Sequence, residues 1–488
     1  MRELDRRAIA QHGIAGVELM ARAGAAALRA LRARLPRARR IAVVCGAGNN
    51  GGDGYVVARL AHAAGLEPLV MALGGQASGD AATARAQCEA AGIATQVFQP
   101  TTLGDADVIV DALFGIGLAR DVAGEWRHAI EAINVSGRPV MAIDIPSGLN
   151  ADTGAVMGTA VRARITVSFI GLKVGLYTAA GREHAGEILF DDLGVPDAVY
   201  QGIAPVAQRL GSSELRPLVR ARARDTHKGT FGHVLVVGGG PGMAGAARLC
   251  GEAAYRAGSG LVTLATHPSH AAVANAARPE LLAFGVRTPQ QLHPLLASAS
   301  AIVLGPGLSR GAWARAQYGA ALKSKLPLVV DADGLNLLAA KPRKNDHWIL
   351  TPHPGEAARL LATTPEKVQR NRFAAVRELV TRFGGVSVLK GSGTLIATHG
   401  HETVALCDRG NPGMASGGTG DVLTGVIAAL LAQGLAPFDA ARLGVWLHAA
   451  AGDDAVANGE IGLIASDLIS HIPGRINRLV ADDDIDDR

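Results

Sequence analysis

The sequence predicts an α/β protein of two domains, the first a doubly wound parallel sheet and the second a separate α/β/α pattern. Three observations carry this. Short, continuously apolar runs alternate with segments of helical periodicity. The runs end in glycines or carboxylates, as parallel strands do where their carboxyl ends open into one crevice. The composition, 48% apolar and 19% charged with 62 glycines, is that of a well-buried chain punctuated by loops. At 488 residues the chain exceeds one ordinary core, and it divides into expected domains at 1–212 and 213–488.

Composition also excludes several classes of function. Cys45, Cys88, Cys250 and Cys407 are far apart with no CxxC, which reads as free thiols and not as a zinc site or disulfide framework. The net charge of +5 draws on a local excess at Arg29, Arg32, Arg34, Arg37, Arg39 and Arg40. No aromatic residues interleave with these arginines, so they read as a solvated face and not as a nucleic-acid patch. The first twenty residues contain Glu3, Asp5 and Glu18, unlike a signal or transit peptide, and no apolar window is long enough to span a bilayer. A cytoplasmic protein is expected, without nucleic-acid or membrane partners, acting on small molecules and assembling as a homo-oligomer. The acidic run after Ala481 reads as a frayed tail.

In chain order, Arg6 to Leu35 has helical spacing and stops before Pro36, predicting an opening helix. Ile41 to Cys45 is a strand run feeding Gly46-Ala-Gly-Asn-Asn-Gly-Gly-Asp-Gly54, with a helix expected from Tyr55. Further strands are expected at Pro68 to Leu73, Ala106 to Val110, Pro139 to Ile143, Ile165 to Ile170 and Glu187 to Phe190. Gly46-x-Gly48-x-x-Gly51 matches the dinucleotide fingerprint formally. The next strand, however, ends at Gly75 with no acidic residue for a ribose hydroxyl, and Asn49, Asn50 and Asp53 crowd the loop. Such side chains can reach a ribose, a phosphate or a monovalent cation. Two further strands end in Asp111 and Asp144, so Asn50, Asp111, Asp144 and Ser147 should meet in one crevice.

Gly48-Asn-Asn-Gly-Gly-Asp-Gly-Tyr55, Asp111-Ala-Leu-Phe-Gly-Ile-Gly-Leu118, Asp144-Ile-Pro-Ser-Gly148 and Phe169-Ile-Gly-Leu-Lys-Val-Gly-Leu176 together resemble the NAD(P)H-hydrate epimerase domain, a Rossmann-like fold. The resemblance implies substrate contacts at Asn49, Asn50, Gly51, Gly52 and Asp53, at Gly115, Ile116, Gly117, Leu118, Ala119, Arg120 and Asp121, and at Asp144. It also implies a potassium ion near Asn50, Asp111 and Ser147. The substrate would be reduced nicotinamide hydrated at C6, whose inversion passes through a ring cation. Asp144 is the candidate for acid/base or electrostatic work, while Lys173 reads first as an ordinary strand-end lysine.

A linker is expected between Gly202 and Leu215, after which a second α/β pattern starts with the strand His233 to Val237. Gly240-x-Gly242-x-x-Gly245 follows it, and the next strand, Leu261 to Thr266, again lacks the acidic residue. Later strands run into Gly305-Pro-Gly307, Asp331-Ala-Asp333, Thr351-Pro-His-Pro-Gly-Glu356 and Lys390-Gly-Ser-Gly-Thr394. Ser416-Gly-Gly-Thr-Gly-Asp421 should open an apolar helix, with glycine amides and the helix dipole converging on an anion. A carboxylate there is ill suited to hold a phosphate and well suited to take a proton from a hydroxyl that attacks one. A first-turn carboxylate at an ordinary helix start is the plainer reading of Asp421.

Taken together, the motifs at Thr351 to Glu356, Lys390 to Thr394 and Asn411 to Asp421 resemble the NAD(P)H-hydrate dehydratases, members of the ribokinase-like superfamily. The resemblance implies that Lys390, Gly391, Ser392, Gly393, Thr394 and Gly420 hold ADP with magnesium, and that Ala246, Gly307, His353 and Asp421 contact the hydrated NADH or NADPH. The whole chain then reads as an epimerase fused to an ADP-dependent dehydratase. The rival is a ribokinase-like kinase for a vitamin precursor joined to a nucleotide-binding module.

Overall fold

The computed structural model describes residues 1–457 and 459–481, so the expected acidic tail lies outside the described residues. The chain forms two compact units, Met1–Ala204 and from Pro205 onward. Among the described residues no helix is long and apolar enough to cross a membrane.

The first unit carries β1 (Arg40–Cys45), β2 (Glu67–Ala72), β3 (Thr95–Val97), β4 (Val108–Ala112), β5 (Val140–Ile143), β6 (Ile165–Phe169) and β7 (Glu187–Asp191). They lie in the order β3-β2-β1-β4-β5-β6-β7, with every neighbouring pair parallel. Because strand side chains alternate, Ile41, Val43 and Cys45 join one apolar core, and Ala42 and Val44 join another on the opposite face. Helices Gly16–Arg34 and Asn49–Ala63 cover the first face, and helix Gly124–Val135 covers the second with Ala129, Ile130 and Ile133.

Two boundaries differ from expectation. The opening helix is two helices, Arg2–Ala10 and Gly16–Arg34, separated where Gly13 takes φ +67°, a conformation that ends a helix readily only at glycine. The helix expected from Tyr55 begins at Asn49, so the glycine-rich segment is itself helical. Its glycines serve close approach: a Cβ on Gly51 would lie 1.9 Å from the Gly46 carbonyl oxygen.

The second unit carries β8 (Ala207–Arg209), β9 (His233–Val237), β10 (Leu261–Thr266), β11 (Leu282–Gly285), β12 (Ala301–Leu304), β13 (Leu328–Val330), β14 (Trp348–Leu350), β15 (Val386–Leu389), β16 (Thr394–Thr398) and β17 (Val404–Cys407). The order is β11-β10-β9-β12-β13-β14-β15-β16-β17-β8, parallel as far as β15, with β16 and β17 added antiparallel. The segment expected as linker supplies β8. Ala207, Gln208 and Arg209 pair with Val404, Ala405 and Leu406, and Arg209 donates to Asp408 at 2.7 Å. The second unit therefore starts at Pro205 and not at 213.

Strand order reverses between β1 and β4 in the first sheet and between β9 and β12 in the second. Loops leaving the carboxyl ends of such a pair part to opposite faces and leave a crevice. At the first switch point the helix must approach the sheet as closely as Gly51 permits. Gly51→Ala is expected to cost the first unit about 3 kcal/mol, because the obstructing atom is backbone and cannot rotate away. Denaturant unfolding followed by hydrogen exchange would check it, with protection lost in the first unit and retained in the second.

Candidate active sites

In the first unit the switch point opens into a cavity of about 750 Å³. Asn49 and Asn50 line it from the first turn of helix Asn49–Ala63 and Asp53 from just beyond that turn, Gly115 to Arg120 from the loop after β4, and Asp144 from the end of β5. Gly51 and Gly52 are buried beneath, and Asp121 is exposed outside the lining. Phe114 and Trp126 add a tilted ring pair, with centroids 4.7 Å apart, to the same wall. Such a surface suits a planar heterocycle.

Asp144 pairs with the Nζ of Lys173, which is buried and also donates to Ser168 Oγ at 3.1 Å and to the Phe169 carbonyl at 3.0 Å. Lys173 is therefore not an ordinary strand-end lysine: three oxygens fix its ammonium at the cavity. Asp144 and Ile170 both have left-handed backbones, with φ +67° and +59°. Aspartate tolerates that region and isoleucine does not, so packing must hold the strained segment in place. Burial first, and then Asp144 and Asp5, push the Asp53 carboxyl well above the usual range, with Lys173 opposing.

Beside this cavity Asp111 is fully buried. It accepts from Ser147 Oγ at 2.6 Å and from the Ser147 amide at 2.8 Å, and Ser147 Oγ accepts in turn from the Phe114 amide at 2.8 Å. Burial pushes the Asp111 carboxyl up to about 6, partly countered by those hydrogen bonds. Among the described residues Asp111 forms no ion pair, and the buried Nδ2 of Asn50 finds no partner. Asn50 meets the same loop at Gly115, where a Cβ would lie 3.4 Å from its Oδ1. A buried carboxylate, a hydroxyl and an amide reaching one loop make an oxygen-rich donor set that fits a monovalent cation.

In the second unit, helix Thr419–Ala432 opens at Gly418, whose φ is +94°, with Asp421 in its first turn. Four features converge on that turn. Lys390 Nζ donates to Asp331 Oδ1 at 2.8 Å and lies 3.9 Å from Glu356 Oε2. Thr424 Oγ1 donates to Asp331 Oδ2 at 2.9 Å, tying the helix to the end of β13. A Cβ on Gly420 would be 3.2 Å from Lys390 Nζ. His448 donates from Nε2 to the Thr419 carbonyl at 2.9 Å, and burial lowers its pKa to about 4, so it braces the loop while neutral.

The charges are uneven. Burial, then Asp331 and Glu356, raise the Asp421 carboxyl to about 7 against the opposing pull of Lys390. Burial also raises Glu356, with Lys390 opposing. His353 accepts from the Gly355 amide at 3.0 Å and caps helix Pro354–Leu361, while Glu356 accepts from the His353 amide at 2.8 Å. Burial, followed by Lys390 and Arg359, lowers the His353 pKa. Ala246 and Gly307 are neighbours, a Cβ on Gly307 lying 3.0 Å from that of Ala246, and Gly240 donates to the Gly307 carbonyl at 2.6 Å.

The loop from Lys390 to Thr394 rests on Arg372. This buried guanidinium donates from Nη2 to the carbonyls of Leu389, Lys390 and Gly393 at 3.1, 3.2 and 3.2 Å, and burial draws its pKa down to about 10. Asp331 and Glu356 stood in the strand-end motifs read from sequence but were given no role there, and Arg372 and Trp126 were not singled out at all. Arg372 sits in a helix with no local signature.

Comparison with known proteins covers both units. The family model described as YjeF-related protein N-terminus matches residues 16–175, and that described as NAD(P)H-hydrate dehydratase matches 234–474. A bifunctional NAD(P)H-hydrate repair enzyme Nnr of Coxiella burnetii is 47% identical over 98% of each chain. Among solved structures, an ADP/ATP-dependent NAD(P)H-hydrate dehydratase of Bacillus subtilis, co-crystallized with ATP/Mg2+, is 28% identical with a TM-score of 0.50, covering 55% of this chain and 97% of its own. A ribokinase-like superfamily protein of Enterococcus faecalis is 27% identical with a TM-score of 0.53, covering 57% and 98%.

The Arg372 brace yields a test that needs no substrate. Arg372→Met leaves three carbonyls without their donor and is expected to destabilise the second unit by about 3 kcal/mol. Arg372→Lys should recover only part of this, since an ammonium cannot reproduce the planar fork. Urea titration, with intact protein and hydrogen exchange compared, would place the loss in the second unit.

Proposed function

Because this chain belongs to the family of bifunctional NAD(P)H-hydrate repair enzymes, we propose that its first unit epimerises hydrated NADH and NADPH and its second unit dehydrates one epimer at the expense of ADP. The observation that carries the dehydration is the position of Asp421, a carboxylate raised to about 7 inside a glycine-lined helix mouth, within the field of Lys390. The rival kinase would release a stable phosphorylated alcohol. The family model over 234–474 and the whole-chain relative favour repair.

In the second unit Asp421 takes the proton of the C6 hydroxyl, whose oxygen attacks the terminal phosphorus of ADP as AMP leaves. The unpaired amides at the start of helix Thr419–Ala432, together with Lys390, neutralise the transferring phosphoryl group. Phosphate then departs with the C6–O electrons while the ring nitrogen supplies its lone pair, and loss of the C5 proton restores the dihydronicotinamide. The loop from Lys390 to Thr394, held by Arg372, and Gly420 bind the nucleotide, while Ala246, Gly307 and His353 contact the hydrated cofactor. Magnesium fits this site as an ion carried on phosphates: it would neutralise their charge, with Asp331 and Glu356 the carboxylates available to hold it.

In the first unit a cavity acid protonates the C6 hydroxyl as the C6–O bond breaks heterolytically to release water, and water returns to either face of the resulting ring cation, giving its excess proton back to that acid. Asp144, fixed by Lys173, and Asp53 stabilise that cation, and Phe114 and Trp126 give its ring a flat wall. Asn49, Asn50 and the loop from Gly115 to Asp121 hold the rest of the cofactor. Potassium would be held by Asn50, Asp111 and Ser147, where it would supply the positive charge that Asp111 lacks.

Two measurements test this reading. Asp421→Asn is expected to slow recovery of reduced-nicotinamide absorbance at least about 100-fold while ADP binding, read by calorimetry, stays within about twofold. Because the carboxylate is the active form and its pKa is about 7, wild-type turnover should rise with pH, roughly tenfold from pH 6 to pH 8. For the cation, potassium should raise the thermal stability of the wild-type first unit more than lithium does. Asp111→Asn should abolish that difference.

A further inference from the structure

The helix Arg2–Ala10 precedes the residues matched by the first family model, yet Met1, Arg2, Asp5 and Ile9 line the cavity of that unit. The helix is firmly docked. Leu4 and Ala8 are buried in the core, and Arg7 donates to the Gln201 carbonyl at 2.6 Å. These contacts fix the rotation of the helix and turn Asp5 toward the cavity that Asp53 and Asp144 also face.

Asp5 has no structural duty to account for this position. Its carboxylate makes no hydrogen bond or ion pair among the described residues. The first-turn role of an acid is already filled by Glu3, which pairs with Arg6 at 2.7 Å and Arg7 at 3.0 Å. A carboxyl held half out of water in a substrate cavity, with no structural partner, is placed to exchange protons.

We infer that Asp5 is a further catalytic residue of epimerisation, donating a proton to the departing C6 hydroxyl and recovering one from the water that returns. The inference rests on the epimerase reading of this cavity. In the forward step the C6–O bond breaks with its electron pair on oxygen, Asp5 supplies the proton that makes water, and the ring nitrogen lone pair forms the C=N bond of the cation. In the return step water attacks C6 from either face, the C=N pair returns to nitrogen, and the excess proton goes to Asp5. Nothing is oxidised or reduced. Asp144 is already engaged, its carboxylate held by the Lys173 ammonium, whereas the Asp5 carboxyl is free to meet the departing hydroxyl.

The charged groups around Asp5 are Asp53 from helix Asn49–Ala63, Asp144 from the end of β5, Lys173 from the segment after β6, and Arg2 with the terminal amino group on its own element, while Asp80 and Arg120 line the same cavity. Burial is the largest influence on Asp5 and raises its pKa. Asp144 adds to the rise, while Lys173 and the terminal amine oppose it.

The test uses the full chain, with each purified epimer of hydrated NADH, chromatographic separation of epimers over time and a buffer blank. Asp5→Asn is expected to lower the kcat of interconversion about 100-fold with KM within about threefold, and Asp5→Glu to recover at least a tenth of wild-type kcat. The alkaline limb of the pH profile should disappear in Asp5→Asn. Leu4→Ala, which loosens the docking of the helix but keeps the carboxyl, should lower stability and leave that limb in place. Interconversion by Asp5→Asn within about threefold of wild type, or equal losses in Asp5→Asn and Asp5→Glu with an unchanged pH profile, would overturn the inference while leaving the epimerase reading intact. Failure of the wild-type chain to exceed the buffer rate would overturn both.

Discussion

A lysine held against a strand-end carboxylate organises each unit: Lys173 with Asp144 in the first, Lys390 with Asp331 in the second. Both pairs are largely withdrawn from water, where removing either partner leaves an uncompensated charge. Each pair then sets the potential at a second acid carried near the start of a helix, Asp53 or Asp421. Those acids are pushed up first by burial and then by neighbouring carboxylates, with the ammonium of each unit opposing the rise. One ammonium cannot neutralise them all, so a proton stays available at each site.

What surrounds these pairs separates the two reactions. In the second unit the helix start presents unbonded amides, and the neutral His448 braces the Thr419 carbonyl without adding charge, so the mouth attracts an anion. In the first unit Asp5, Asp53 and Asp144 face a cavity with Lys173 as their shared cation, and Asp111 lies buried without an ion-pair partner among the described residues. That cluster of carboxyl groups suits a ring cation, with Arg2 and Arg120 lining other parts of the same cavity. The same substrate carbon is thus met by different electrostatics, one site activating a phosphoryl acceptor and the other stabilising the cation left when the hydroxyl departs as water.

Much of this was legible in the sequence because strand ends are legible. Continuous apolar runs located the central strands, and the rule that their carboxyl ends share a crevice brought Asp111 and Ser147 together, with Asn50 reaching the same loop. The rule fails where a group arrives on an element with no strand end. Asp5 comes from a helix whose separation from the next depends on the backbone of Gly13, and Arg372 acts through three carbonyls that become neighbours only in the folded chain. β8 escaped for a related reason: three residues between turns have no periodicity to detect, and their pairing with β17 is a tertiary fact.

The strained backbones at Asp144 and Ile170 follow from the same arrangement. Lys173 must reach Asp144 from the segment after β6 while its ammonium is also held by Ser168 and the Phe169 carbonyl, and that geometry turns the chain sharply just beyond Phe169. A glycine at 170 would relax the turn but would remove an apolar side chain from the cavity wall and from the core beneath it. Isoleucine in a left-handed conformation is therefore explained by the lysine: the backbone yields so that the ammonium keeps all three oxygens and the wall stays closed to water.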